Sequence, residues 1–331
     1  MSDLYPLKFE PILREKLWGG SKLVSHFRKK GDPYLLIGES WELSGVSDYK
    51  SVVSNGFLAG NNIEELIEVY LGDICGEAVY DKFGIEFPLL IKLIEARTDL
   101  SIQVHPGDVL ARERHGAYGK TEMWYILEAD EDSVIYTGFD KPITREQYLD
   151  ALKEDRVGAL LNAEKASAGD VFFTPAGRVH SIGAGITLIE IQQTSDITYR
   201  IYDWDRKDKD GTTRELHTDL ALDAIDFTAA GPVKTRKDPV ENQTGKLIDC
   251  DYFTTNDLLF NKSISRDYNL IDSFIVYFCI EGQFMIKWDG KAEMVTRGET
   301  VLLPALIREV ILEPLPSARI LEIYIDTTRV H

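Results

Sequence analysis

The chain has 331 residues, 44% hydrophobic and 10% aromatic, enough to bury a full core in one large domain or two, which argues against disorder. Its 37 Lys and Arg against 55 Asp and Glu leave a net charge of -18, which argues against nucleic acid or an anionic membrane surface as partner; any phosphate site must be local. Cys75, Cys250 and Cys279 lie far apart without C-x-x-C spacing and read as reduced thiols. The opening Met1-Ser-Asp-Leu-Tyr-Pro lacks a basic segment followed by an apolar one, and no run reaches the roughly 18 apolar residues of a membrane span, so a soluble cytoplasmic protein is expected.

In chain order, residues 62–71 show helical periodicity, continued more weakly to residue 83. Short apolar or alternating runs follow at residues 87–95, 122–129, 133–137, 170–174 and 187–193, each bounded by Gly, Pro, Asn or Asp, which is the rhythm of an all-β core. A second helical insert is expected over residues 144–161, opened by Thr144 and Gln147 in capping-box spacing. The acidic run of residues 203–211 hints at a calcium loop, but aligning Gly211 with that loop's glycine puts Arg206 and His217 at ligand positions, so a solvated turn is the better reading. Residues 231–245 look like a connection. Beyond them, residues 282–290 read as a hairpin, and Gly298-Glu-Thr-Val-Leu-Leu-Pro304 repeats the G-x5-P spacing of Gly169 to Pro175. A second jelly-roll lobe is therefore expected.

Three segments carry the chemistry: Ser101-Ile-Gln103-Val-His105, Gly119-Lys120-Thr121-Glu122, and Gly169 through Pro175-Ala-Gly177 to His180. On a strand, side chains two apart share a face, so Ser101, Gln103 and His105 project together, as do Lys120 and Glu122. Two histidines and a carboxylate form a donor set suited to a first-row divalent metal, zinc above all, with positions left for water or substrate. In the later repeat, Leu306 and Glu309 stand where Gly177 and His180 stand, so the second lobe has lost its ligands.

The run from Gly169 to His180 resembles the second signature of the cupin superfamily, with Ala184 in place of the usual terminal Asn. The chain resembles the type I mannose-6-phosphate isomerases in their short bacterial form, with specific motifs over about its first two thirds and loosely beyond. The residues that carry this are Tyr5-Pro-Leu-Lys-Phe, Leu17-Trp18-Gly19-Gly20, Gly38-Glu-Ser-Trp41-Glu42, the metal segments, and Tyr199-Arg200-Ile-Tyr-Asp-Trp-Asp205-Arg206. The resemblance implies a mainly β protein of two cupin (jelly-roll) β-barrel lobes with a few inserted helices, a catalytic domain over residues 1–240 and a degenerate lobe over residues 241–331. It also implies one zinc ion per chain on Gln103, His105, Glu122 and His180, an active-site arginine at Arg200, and a phosphate contact at Ser101. Longer relatives carry His-Lys-Pro-Glu where this chain has Gly119-Lys120-Thr121-Glu122, so no histidine base stands at position 119.

The implied activity is interconversion of mannose 6-phosphate and fructose 6-phosphate through an enediol, by a monomer. That chemistry needs a stabilised oxyanion and a group that moves a proton between C1 and C2. Lys120, Glu190 and Asp196 are the candidates for the latter; Lys120 serves equally as a charged grip on sugar or phosphate. Arg200 suits binding and electrostatic stabilisation, with Asp196 four residues earlier to orient it. Lys92, a charge inside the apolar run Leu-Ile-Lys-Leu-Ile, points into the cleft or snorkels to its rim. Two other readings stay open: a cupin non-haem iron oxygenase, which uses the same donor set, and a non-catalytic sugar-phosphate-binding module.

Overall fold

In the computed structural model, which describes residues 4–228 and 234–329, the apolar runs become the strands Leu89–Ala96, Glu122–Ala129, Val134–Phe139, Val171–Thr174 and Ile186–Gln193. Both expected helix starts are built as capping boxes. Asn62 accepts from the Glu64 and Glu65 backbone amides while Glu65 bonds back to Asn62, and Thr144 and Gln147 pair in the same way. The first helix, Ile63–Tyr70, continues only as the separate pieces Gly72–Cys75 and Glu77–Phe83, because Leu71 (φ 51°) and Gly76 (φ 91°) break the helical path. The second is shorter than expected. It runs Arg145–Lys153, since Asp155 at φ 52° cannot propagate a right-handed helix, and the rest of the segment is a 3-10 turn and the strand Leu161–Lys165. The helices Asp108–His115 and Thr218–Ala224 have no counterpart in the sequence reading, the first being too polar and short to show a periodic face.

The chain forms two compact units: one is Leu13–Ser40 with Ile91–Arg236, the other Met1–Ile12, Trp41–Leu90 and Lys237–His331. The helices Ile63–Tyr70, Gly72–Cys75 and Glu77–Phe83 thus fall in the same unit as the C-terminal strands. Of the connection expected at residues 231–245, residues 231–233 lie outside the described residues; Lys234–Thr235 pairs with Val171–Thr174, and Thr244 begins a strand.

The first unit contains a five-stranded sheet in the order Tyr199–Tyr202, Ile102–Val104, His180–Ile182, Val134–Phe139, Leu161–Lys165. It also contributes to a seven-stranded sheet in the order Lys234–Thr235, Val171–Thr174, Glu122–Ala129, Ile186–Gln193, Leu89–Ala96, Ile37–Ser44, Ile12–Gly20. Inner side chains of both sheets, among them Trp124, Ile126, Phe172 and Leu188 from one and Ile135 and Ile182 from the other, pack into a single core. Each fully buried residue of this kind contributes about 1.5–3 kcal/mol. The second unit holds an eight-stranded sheet centred on the long strands Ile275–Trp288 and Glu309–Tyr324. The expected hairpin is there: Ile275–Trp288 turns through Asp289 and Gly290, both at positive φ, into Lys291–Thr296. Among the described residues no sheet closes on itself, so the architecture is one of jelly-roll-like sheets rather than closed barrels. None of the described helices is long and apolar enough to cross a membrane.

Candidate metal centre

The strand pairing decides which side chains meet. In the seven-stranded sheet Glu122 stands between Thr174 and Gln192, and the next inward row is Phe172, Trp124 and Glu190. Across the core, the five-stranded sheet sets Arg200, Gln103, His180 and Thr137 in one row. Directly paired residues share a face, so one sandwich interior changes from apolar (Ile126, Leu188, Ile182) to ionisable within two to four residues along the same strands. His105 follows its strand directly, and the backbone carbonyl of His105 accepts from Gly177 at 2.9 Å. Gly177 is at φ +88°, and a Cβ there would lie 3.0 Å from the Ala224 carbonyl oxygen, which is why the turn before His180 requires glycine.

His105, Glu122 and His180 are buried, with one donor atom from each lying within 4.8 Å of the others. Each imidazole is oriented from behind: His105 Nδ1 donates to the Ile197 carbonyl at 2.9 Å and His180 Nδ1 to the Arg178 carbonyl at 2.8 Å. That tautomer turns both Nε2 lone pairs inward. Burial, with the nearby Lys120 charge, holds His105 well below the usual imidazole range, and burial brings His180 down to about 3, so both rings are neutral at neutral pH.

His180 Nε2 lies 3.5 Å from Glu122 Oε1 and His105 Nε2 3.6 Å from Oε2. With the ring protons on Nδ1 neither nitrogen has a hydrogen to give, and Glu122 Oε1 is a buried oxygen without a hydrogen-bond partner. Each of these two contacts, made to a different Glu122 oxygen, has about the length of a tetrahedron edge (about 3.3–3.6 Å) for metal–donor bonds of about 2.0–2.2 Å. Lys120 Nζ faces His105 Nε2 at 3.2 Å and Gln103 Nε2 faces His180 Nε2 at 3.3 Å, so N–H donors meet the lone pairs that a cation would take. The residues therefore fit a divalent metal. Gln103 fits less directly, because its amide nitrogen is turned to His180 and its oxygen to Ser101 Oγ at 3.4 Å; ligation through oxygen requires the amide to turn over.

A second buried group adjoins the first. Lys92 Nζ bonds Glu190 Oε1 and Gln192 Oε1, each at 2.8 Å, and Trp124 Nε1 donates to Glu190 Oε2 at 3.0 Å. Lys120 forms an ion pair with Glu122 and lies 3.8 Å from Glu190. Burial alone would raise both carboxylates. For Glu190 the charges of Lys120 and Lys92 and the bonds from Lys92 and Trp124 outweigh it and draw the group down to about 2. For Glu122, burial and the Glu190 charge outweigh Lys120 and push it up. Lys92 is likewise held in its charged form, since burial, which lowers it, is outweighed by Glu190 and Glu39.

Arg200 is half-buried; its Nη1 donates to the Glu215 carbonyl at 2.8 Å, while its Nε is buried without a partner. Burial, then the Arg214 charge, lowers its pKa, but a guanidinium stays protonated. It stands two strands from His180, roughly 10 Å by strand spacing. Ser101 is buried two residues before Gln103, on the same face. Asp196 is exposed in the turn before Tyr199–Tyr202, and the Arg200 guanidinium is bonded to Glu215 rather than to it. The structure thus gathers His105, Glu122, His180, Gln103, Lys120, Glu190 and Lys92, puts Ser101 and Arg200 on the facing row, and leaves Asp196 outside. Trp124, Gln192 and Gln193 were not singled out from sequence, although Trp124 is in phase with Glu122 and Gln192 with Glu190. His115 ends the Asp108–His115 helix with Nε2 2.8 Å from the Tyr199 hydroxyl, not in the cluster.

Two family models match this chain: "Phosphomannose isomerase type I, catalytic domain" over residues 7–151 and "Mannose-6-phosphate isomerase, cupin domain" over residues 243–324. Among characterised proteins it is 35% identical over 311 residues to mannose-6-phosphate isomerase ManA of Bacillus subtilis, covering 93% of this chain and 96% of that one. It is 31% identical over 306 residues to mannose-6-phosphate isomerase of Streptococcus mutans, covering 92% and 93%. Of solved structures, the mannose 6-phosphate isomerase from Bacillus subtilis superposes with a TM-score of 0.83 at 29% identity, over 97% of this chain and all of that one.

Proposed function

This chain belongs to the type I phosphomannose isomerase family, and from that membership we propose that it is a metal-dependent aldose–ketose isomerase interconverting mannose 6-phosphate and fructose 6-phosphate. The observation that carries the reading is one core holding both a His–Glu–His donor set with neutral imidazoles and buried cationic groups beside it. A metal centre alone fits several chemistries; a metal centre flanked by Lys120 and Arg200 fits an anionic, oxygen-rich substrate.

His105, Glu122 and His180 would hold the metal, with Gln103 as fourth ligand once its amide turns over; zinc suits these donors. When bound, the ion supplies Lewis-acid stabilisation of the oxyanion of the enediol, worth several kcal/mol. The remaining work falls to the chain's own side chains. Lys120, buried and in contact with both Glu122 and His105, is the group we assign to carry the proton between C1 and C2 at Nζ. Glu190, kept ionised by Lys92, lies within 3.8 Å of Lys120 and limits where that amine can go. Arg200 offers its free Nε–H, and Ser101 its hydroxyl, to the sugar phosphate. Exposed Asp196 is left a role at the substrate's edge. All the buried residues come from one unit of one chain, so the site needs no second subunit, and we take a monomer with one metal ion as the active species. Three unpaired cysteines support a cytoplasmic location.

The test is conversion of mannose 6-phosphate to fructose 6-phosphate by the protein as isolated, after chelation, and after zinc or iron is restored. Activity lost on chelation and recovered with zinc supports the reading. No turnover with any metal sinks it and returns the site to oxygenase or binding chemistry.

A further inference from the structure

The strand Glu122–Ala129 is paired on both sides, with Glu122 itself in register with Thr174 and Gln192. Residues 119–121 come just before that strand, and Lys120 is therefore not placed by a two-sided ladder. The backbone of residues 119–121 is held instead by four hydrogen bonds. The Lys120 amide donates to the Pro106 carbonyl at 3.1 Å. The Thr121 amide donates to Gln193 Oε1 at 2.9 Å, while the Gln193 amide donates to the Thr121 carbonyl at 3.2 Å. The Gly119 amide donates to Asp108 Oδ1 at 2.8 Å, and the same oxygen accepts from Gln193 Nε2 at 2.9 Å.

Gln193 and Asp108 thus form one bracket that grips the residues on either side of Lys120. The bracket also dictates the residue at position 119. A Cβ on Gly119 would lie 2.6 Å from the Asp108 backbone nitrogen and 3.0 Å from its Oδ1, so a side chain at 119 and the Asp108 bracket exclude one another. Gln193 and Thr121 are buried, and Asp108, at the start of the helix Asp108–His115, is half-buried. An amide held by a side chain in a dry setting has no water to replace a lost partner.

We propose that Gln193, with Asp108, is a positioning residue for Lys120, setting its amine against the metal site without touching metal or substrate; this rests on the isomerase reading above. Glu122 is held by the ladder on both sides, so the bracket acts on Lys120 and not on the metal ligands. Displacing a reacting group by about 1 Å costs on the order of 100-fold in rate.

The experiment compares Gln193→Leu, which removes both side-chain bonds, with Asp108→Ala and Asp108→Asn, the last keeping an acceptor for Gly119 and Gln193. Expected for Gln193→Leu and Asp108→Ala is a kcat about 10- to 100-fold lower, with KM for mannose 6-phosphate and bound metal per chain unchanged; Asp108→Asn restores most of the rate. Wild-type kcat in both disruptive variants overturns the proposal, and so does loss of metal in step with loss of rate, which would make the bracket a support for Glu122. If Gln193→Leu does not fold, the Asp108 pair decides. Crystal structures of wild type and the disruptive variants read the bracket independently of turnover. Lys120 displaced from Glu122 and His105 with the three ligands in place supports it, and an unmoved Lys120 overturns it, even if the wild type proves inactive on mannose 6-phosphate and the functional reading itself fails.

Discussion

In the second unit, Glu322 is buried between Asn256 and Tyr277 in one row across three strands. Its oxygens accept from Asn256 at 3.0 Å and from the Tyr268 hydroxyl at 2.6 Å, and it is ion-paired with Arg266, which also donates to Thr244 at 2.9 Å. The Tyr277 and Tyr268 hydroxyls bond each other. Every member of that group has a partner within it or beside it. In the first unit a carboxylate sits in a comparable row, yet Glu122 Oε1 has no hydrogen-bond partner and Arg200 Nε has none either. Leaving a buried polar atom unsatisfied costs about 1–3 kcal/mol. The pair of clusters shows how to tell a buried polar network that organises a core from one prepared for something not supplied by the chain: the first is closed, the second is left short of partners. The repeat agrees, since Glu309, which stands where His180 stands, is exposed and takes no part in the second unit's network.

The comparison is broken most severely at the ligands. His180→Ala is expected to lower turnover by about 10⁴-fold or more, because it removes several kcal/mol of metal-dependent stabilisation, and to lower bound metal measured by elemental analysis; full activity would place the metal elsewhere. Lys120→Met should retain metal and substrate affinity but lose about 10²- to 10³-fold in kcat and abolish exchange of the C2 proton with solvent. Retained exchange would move the proton-transfer role to Glu190 or Asp196.

Glu322→Gln tests the other side. It should cost about 3 kcal/mol in denaturant unfolding, the cost of stranding Arg266, and leave kcat and metal content untouched. A change in kcat instead would show that the closed network reaches the chemistry.

The smallest effect concerns Glu190. Its folded pKa of about 2 lies below the ordinary value of 4.5, so its ionised form stabilises the native state. That contribution is fully present above about pH 4.5 and is lost as pH falls toward 2. Trp124→Phe removes one donor to this carboxylate and should cost about 1.5 kcal/mol near neutral pH, a difference that shrinks on acidification. Equal stability at pH 6 in urea titrations would mean that the Trp124 bond contributes nothing.

How legible the protein is from its sequence varies with the range of the interaction. Strand runs, the Thr144–Gln147 capping box and the ligand-bearing segments could be read directly, because each depends mostly on residues close together in the chain. The early end of the helix after Lys153 was not legible, since the left-handed turn at Asp155 interrupts a pattern that still looks periodic. Nor was the Asp108–His115 helix, with a largely polar surface.

Alternation placed Ser101, Gln103 and His105 on one face, and Lys120 with Glu122 on another; local stereochemistry settles that much, and the motifs carry the family with it. Whether those faces look at each other depends on register between strands far apart in sequence: Gln103 beside both His180 and Arg200, Glu122 beside Gln192. That register turned Lys92 from a free charge at a cleft into the partner of Glu190 and Gln192, set Asp196 outside, and placed Gln193 and Asp108 around Lys120. Residues two apart on a strand share a face whatever the fold; partners 70 or 100 positions away meet only when two sheets close over a common core.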